Sequence, residues 1–173
     1  MATGELPITS ALPLEGTDYL QFLLGSIEAA KNRIWASIFL VDARVHKDEQ
    51  LSVRTIIDRL NRARWRGVDV RIVIGTATIE DVYAACLSSA YFMKKQGLDV
   101  RGFGGSGRRR STHSKYVIVD DNVSIIGSSN WSHEALHEAV NCSVAIDSPQ
   151  LTAALSKEFS KAWGSSSEIV YEG

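Results

Sequence analysis

The chain has 173 residues and a mass of 19.0 kDa, enough for one domain and too little for two of ordinary size. Hydrophobic residues make up 45% and charged residues 23%, a balance that excludes disorder, collagen and a disulfide-stapled miniprotein. The formal net charge of −1 excludes a protein that coats nucleic acid by bulk charge, so any polyanion contact must come from a local patch.

The first sixteen residues, with Pro7 and Pro13, read as a loosely held N-terminal arm without regular structure, and residues 17–173 as one domain. Met1 to Glu5 has neither a basic start nor an apolar core and does not read as a secretory signal. Cys86 and Cys142 are expected as thiols, in keeping with a cytoplasmic chain. No apolar run is long enough to span a bilayer. From Thr17, a candidate cap, Leu20, Leu23, Leu24 and Ile27 recur at helical spacing. Arg33 to Val41 reads as a buried strand, Asp42 to Gln50 as a loop and Leu51 to Arg66 as a helix closed by Gly67. Asp69 to Gly75 is a strand, Ile79 to Gln96 a helix ended by Gly97, and Leu98 to Phe103 a strand. After the loop Gly104 to Thr112, His113 to Asp120 and Val123 to Ile126 read as antiparallel partners. Val140 to Ile146 is a strand, Pro149 to Trp163 a helix and Glu168 to Tyr171 an edge strand. Alternating elements of this length make an α/β sheet flanked by helices.

The chemistry concentrates between His113 and Asn130. His113 and Lys115 alternate onto one face of a strand, where each disfavours the charged form of the other. An anion over both would resolve the conflict. Gly127 permits close backbone approach, and Ser128 and Asn130 bring small hydrogen-bonding groups to the same place. Together they describe a phosphate pocket holding a nucleophile.

His113-x-Lys115-x4-Asp120, followed six residues later by Gly127-Ser128-x-Asn130, resembles the signature of the phospholipase D superfamily. The resemblance extends over Ile34 to Val41, Leu60 to Val73 and Lys94 to Arg101, and so covers nearly all of the chain from Thr17. It implies an α/β fold, a phospholipase D/nuclease-like mixed β-sheet with helices on both faces. It also implies a two-step phosphodiester exchange without metal or other cofactor. His113 would attack phosphorus and form a phosphohistidine. Lys115, Asn130 and Ser128 would hold the nonbridging oxygens, and Asp120 would bond locally and fix the motif loop. A second histidine would protonate the leaving oxygen. The chain carries one copy of the motif, so the implied remedy is a homodimer that sets the two His113 side chains across a shared pocket. One departure stands out: the family usually places a glutamate after the asparagine to orient the nucleophile. Asn141 occupies that place here, and Glu138 is the nearest carboxylate upstream.

Rival motifs fare worse. His133-Glu134-x-x-His137 spells a zinc-protease helix, but Glu138 and Asn130 stand where such helices carry other residue types, and the segment reads more simply as a solvated helix after the motif. Gly102 to Gly107 fits a dinucleotide fingerprint, yet the sequence that follows cannot open a helix there. Arg108, Arg109 and Arg110 lead into His113 and suit a substrate with many phosphates. Arg59, Arg62 and Arg66 share a helical face that reads as wetted surface, and Trp131 could stack on a base or pack beneath the motif. The expected function is a dimeric phosphodiesterase cutting nucleic acid, with no stable membrane association. The alternatives are a phospholipase D-type lipid phosphodiesterase or phosphatidyltransferase, and a non-catalytic nucleic-acid-binding dimer.

Overall fold

Short runs of β-branched and aliphatic residues pair into one mixed sheet in the computed structural model, which describes residues 4–44, 51–76, 79–103 and 111–169. In chain order the elements are β1 (Ser10–Glu15), α1 (Thr17–Ala29), β2 (Arg33–Ile38), α2 (Leu51–Trp65), β3 (Asp69–Gly75), α3 (Glu80–Lys95) and β4 (Asp99–Phe103). There follow β5 (Lys115–Val119), β6 (Val123–Gly127), a π-helical segment (Glu134–Glu138), β7 (Cys142–Asp147), α4 (Pro149–Ser165) and β8 (Ser167–Glu168). The strands lie in the order β1-β7-β6-β5-β2-β3-β4-β8. Strands β2, β3 and β4 run parallel to one another, and the remaining pairs are antiparallel.

Strand alternation sorts the side chains into two layers. Ile34, Ala36 and Ile38 of β2, with Ile72 and Ile74 of β3, enter the larger core. That core is covered by Leu23 and Ile27 of α1, Val53, Ile56, Ile57 and Leu60 of α2, and Cys86, Ala90 and Met93 of α3. The intervening Val73 and Ile118 face the other way and meet Phe159 of α4. Trp35 and Trp163 stack on either side of Phe159, with centroids at 5.1 and 5.9 Å. Helices therefore cover both faces, as the family resemblance implies. Gly67 and Gly97 follow α2 and α3 with φ of 92° and 85°, the left-handed conformation a helix end takes most cheaply in glycine.

Four sequence expectations need correction. The N-terminal segment is not irregular throughout: Ser10–Glu15 pairs antiparallel with β7 as an edge strand. An edge tolerates Pro13, because a strand with one neighbour need not donate on its outer side. Thr9 N–H also donates to Asp147 O at 2.8 Å, and Ser148 Oγ to Pro7 O at 2.6 Å. Thr17 is not the cap of α1; Gly16, at φ 51°, holds that position. Strand β5 begins at Lys115, which leaves His113 in irregular backbone just before it. The segment after Asn130 is π-helical over Glu134–Glu138, with Leu136 buried.

Candidate active site

The register of the sheet gathers the site at one edge. Ile38 pairs with Lys115 across β2 and β5, Tyr116 with Ile126 across β5 and β6, and Gly127 with Ser143 across β6 and β7. The carboxyl ends of β2, β3 and β6 and the amino ends of β5 and β7 therefore meet there. Lys115 Nζ lies 3.3 Å from His113 Nε2 and donates to His113 O at 3.0 Å. An ammonium can only donate, so in the tautomer with its proton on Nδ1 the ring presents the Nε2 lone pair to the lysine. Burial pulls the Lys115 ammonium below its usual pKa.

Both side chains rest on Phe39, which the sequence reading did not single out. Its ring lies 4.6 Å from the His113 ring, tilted by 54°, and Lys115 Nζ is 5.0 Å from its centroid. A π-face accepts a cation without supplying a carboxylate that would repel a phosphate. Gly75 makes the arrangement possible. A Cβ there would stand 2.5 Å from Phe39 O, 2.9 Å from Phe39 Cδ2 and 3.0 Å from Thr112 O. The available signal in the sequence was the glycine that ends β3.

Ser128 and Asn141 bond to each other where β6 leads into its loop beside the start of β7. Ser128 Oγ donates to Asn141 Oδ1 at 2.7 Å and accepts from Cys142 N–H at 3.1 Å, while Asn141 Nδ2 donates to Ala135 O at 2.9 Å. The Ser128 proton is thus committed to Asn141, and Asn141 ties β7 to the π-helical segment. Gly127 is required here too, since a Cβ would collide with Ser143 Oγ and stand 2.7 Å from Cys142 O. What approaches Gly127 closely is strand β7. Asn130 sits beside the end of β2, because Trp131 N–H donates to Leu40 O at 3.0 Å and Asp42 N–H to Trp131 O at 2.8 Å. Its Oδ1 is buried without a hydrogen-bond partner among the described residues.

Three candidates lie elsewhere. Asp120, at φ 52°, follows the far end of β5 and accepts from the N–H groups of Lys31, Asn32 and Arg33 at 2.7–3.2 Å. Burial opposes its charge, but those bonds prevail and hold its carboxyl below the usual range. Trp131 cannot stack on a base, because its ring is fully buried and donates to Tyr19 Oη at 3.1 Å. Glu138 turns outward and faces His133 Nε2 at 3.5 Å, away from a role beside His113. His137 Nε2 lies 2.7 Å from Ser52 Oγ, and no group of three His, Cys, Asp or Glu among the described residues is placed to hold a metal. Arg59 pairs with Glu28 and Arg62 with Asp58, as a wetted helix face would. Arg108, Arg109 and Arg110 lie outside the described residues.

The family model described as cardiolipin synthase, phospholipase D-like domain, matches residues 23–163. The chain belongs to the phospholipase D superfamily. Cardiolipin synthase A of Pseudomonas putida (strain GB-1) is 32% identical over 117 residues, which are 66% of this chain but only 21% of that protein. The phospholipase D family member Nuc from Salmonella typhimurium superposes with a TM-score of 0.75 at 21% identity, covering 94% of this chain and 99% of that one. NucT from Helicobacter pylori gives 0.73 at 17% identity, over 92% and 98%. Within the superfamily fold, the imidazole and ammonium of the motif stand together at the sheet edge, and the motif aspartate stands at the other end of the same strand.

Proposed function

We propose that this phospholipase D-like chain is a metal-independent phosphodiesterase that cuts nucleic acid through a covalent phosphohistidine, in a site completed by a second copy of the chain. The observation that carries the chemistry is the contact of His113 Nε2 with Lys115 Nζ at 3.3 Å over the ring of Phe39. A lone pair and a cation converge there, as a phosphorus electrophile and its nonbridging oxygens require. Nε2 forms a bond to phosphorus as the bond to the leaving oxygen breaks. Lys115 and Asn130 meet the charge on the phosphoryl oxygens. Ser128, with its proton on Asn141, holds the loop from Gly127 to Asn130 in shape. His113 of the second copy gives its proton to the leaving oxygen, then takes one from the water that attacks phosphorus and frees the first histidine.

Nucleic acid is favoured because the chain corresponds to almost the whole of Nuc and NucT, and because three arginines precede His113 in sequence. The likeness to cardiolipin synthase A favours a lipid phosphodiester as the second reading. Cleavage of single- and double-stranded DNA and RNA in excess EDTA, with His113→Ala beside the wild type, separates them. The nuclease reading expects cleavage that survives the chelator and vanishes in the variant. Turnover of phospholipid vesicles alone would establish the second reading.

A further inference from the structure

We propose that the groove between α2 and α3 is a second phosphate-binding site, which grips the nucleic-acid strand away from the scissile bond; the ligand class rests on the nuclease reading above. The groove encloses about 500 Å³ and is lined by Arg44, Arg54, Ser88, Tyr91, Phe92 and Lys95, with no acidic side chain in its wall among the described residues. Arg44 is held by Asp42 at 2.7 and 2.9 Å and brings little spare charge. Arg54 and Lys95 differ. Their charges lie over aromatic rings, Arg54 Cζ at 4.9 Å from the centroid of Phe92 and Lys95 Nζ at 5.3 Å from that of Tyr91. Among the described residues neither has a carboxylate partner, whereas Arg33, Arg59, Arg62 and Arg71 each have one.

A cation laid on a ring is oriented without being neutralised, so its N–H groups stay available to an anion at little further entropic cost. Arg54 is fixed a second time, by donation from Nε to Ala43 O at 3.3 Å. Its two terminal nitrogens thus form a preset fork of the kind that suits a phosphate. The groove is also tied to the catalytic edge. Cys86 Sγ lies 3.6 Å from Phe39 O, Ser89 Oγ accepts from Ala43 N–H at 2.8 Å, and Phe92 and Lys95 follow along the same helix. From Cys86 to Phe92 is about 9 Å of helix rise, a distance that a strand of a few nucleotides spans.

The test uses Arg54→Gln/Lys95→Gln and the single change Lys95→Gln, at an exposed side chain set over the Tyr91 ring. Binding of a fluorescent single-stranded oligonucleotide is measured by anisotropy over a range of salt, in parallel with hydrolysis of bis(p-nitrophenyl) phosphate, a diester too small to reach the groove. The double variant is expected to bind about 10-fold more weakly at low salt, with a log–log salt slope shallower by about 1.4, and the single variant by about half that slope change. Hydrolysis of the small diester should be unchanged. A wild type that binds and cleaves, beside variants with the same affinity and slope, overturns the groove and leaves the nuclease reading intact. A wild type that hydrolyses the small diester but binds no oligonucleotide overturns both. Loss of small-diester hydrolysis in Lys95→Gln would also overturn the groove, by showing that the change acts through the catalytic edge.

Discussion

At one end of β5, Asp120 gathers the backbone N–H groups of Lys31, Asn32 and Arg33 around one carboxylate, while at the other His113 and Lys115 meet over the ring of Phe39. Both ends come from the same short motif, and a linear reading treats them as one site. The fold separates them by the length of the strand. At the Asp120 end, charge is absorbed by donors already in the backbone, and the reward is a fixed junction between the α1–β2 loop and the β5–β6 turn. At the His113 end, charge faces an aromatic surface and remains available to a ligand. The motif thus divides into a part that holds the strand and a part that presents chemistry.

The largest expected effect lies at the chemical end. On the proposed mechanism, His113→Ala should lower phosphodiester turnover by about 10³-fold or more, because that mechanism loses its nucleophile and its proton donor together. Its thermal unfolding should match the wild type within experimental error, since the side chain is exposed. Asp120→Ala should behave in the opposite way. Removing an acceptor shared by three N–H groups is expected to cost about 2–3 kcal/mol of stability in denaturant unfolding. A pH titration sharpens the contrast. Because the folded pKa of Asp120 is depressed, the native state holds this proton less tightly than the unfolded chain. Its contribution is complete above about pH 4 and is lost as pH falls through the folded value. In Asp120→Asn that portion of the acid loss should vanish. An Asp120→Ala variant of unchanged stability but abolished turnover would erase the division between the two ends.

Much of this was legible in the sequence, and the failures have physical causes. The hydrophobic periods of α1, α2, α3 and α4 and the alternation of β3 and β6 are local signals, and those elements appear where the residues call for them. Strand β1 was missed because Pro13 argues against a strand, and only its position at the edge of the sheet makes the proline harmless. His113 and Lys115 could be read as neighbours from spacing alone. Phe39 and Gly75 could not, since they reach the site through pairings across distant strands. Trp131 lies next to Asn130 in sequence but turns into the core to meet Tyr19, more than a hundred positions away.

Phe39 and Gly75 offer the next test of the chemical end. Phe39→Leu keeps an apolar floor and removes the π-face, a loss of about 0.5–1 kcal/mol in support of the Lys115 charge. Turnover should fall about 2–5-fold, with KM for the small diester little changed. Phe39→Tyr, which keeps the π-face, should restore most of it. Gly75→Ala must push back the Phe39 carbonyl, which belongs to the backbone and yields poorly. It is expected to lower both stability, by about 1–3 kcal/mol, and turnover. A Phe39→Leu variant with wild-type turnover would reduce the ring to packing.

An effect on stability alone concerns Asn141, where the superfamily usually has a glutamate. The amide accepts from Ser128 with one end and donates to Ala135 O with the other, a pairing no carboxylate can make. Asn141→Asp keeps the shape and the bond from Ser128, but sets a charged oxygen against the Ala135 carbonyl. It should cost about 1 kcal/mol at neutral pH, and less in acid once the new carboxyl is protonated and can donate. Equal stability across that range would show that the bond to Ala135 contributes nothing. A pH-dependent loss would show that the asparagine is matched to the π-helical segment, so that the junction of Ser128 with β7 is held by neutral hydrogen bonds, as the Asp120 end is held by a charged one.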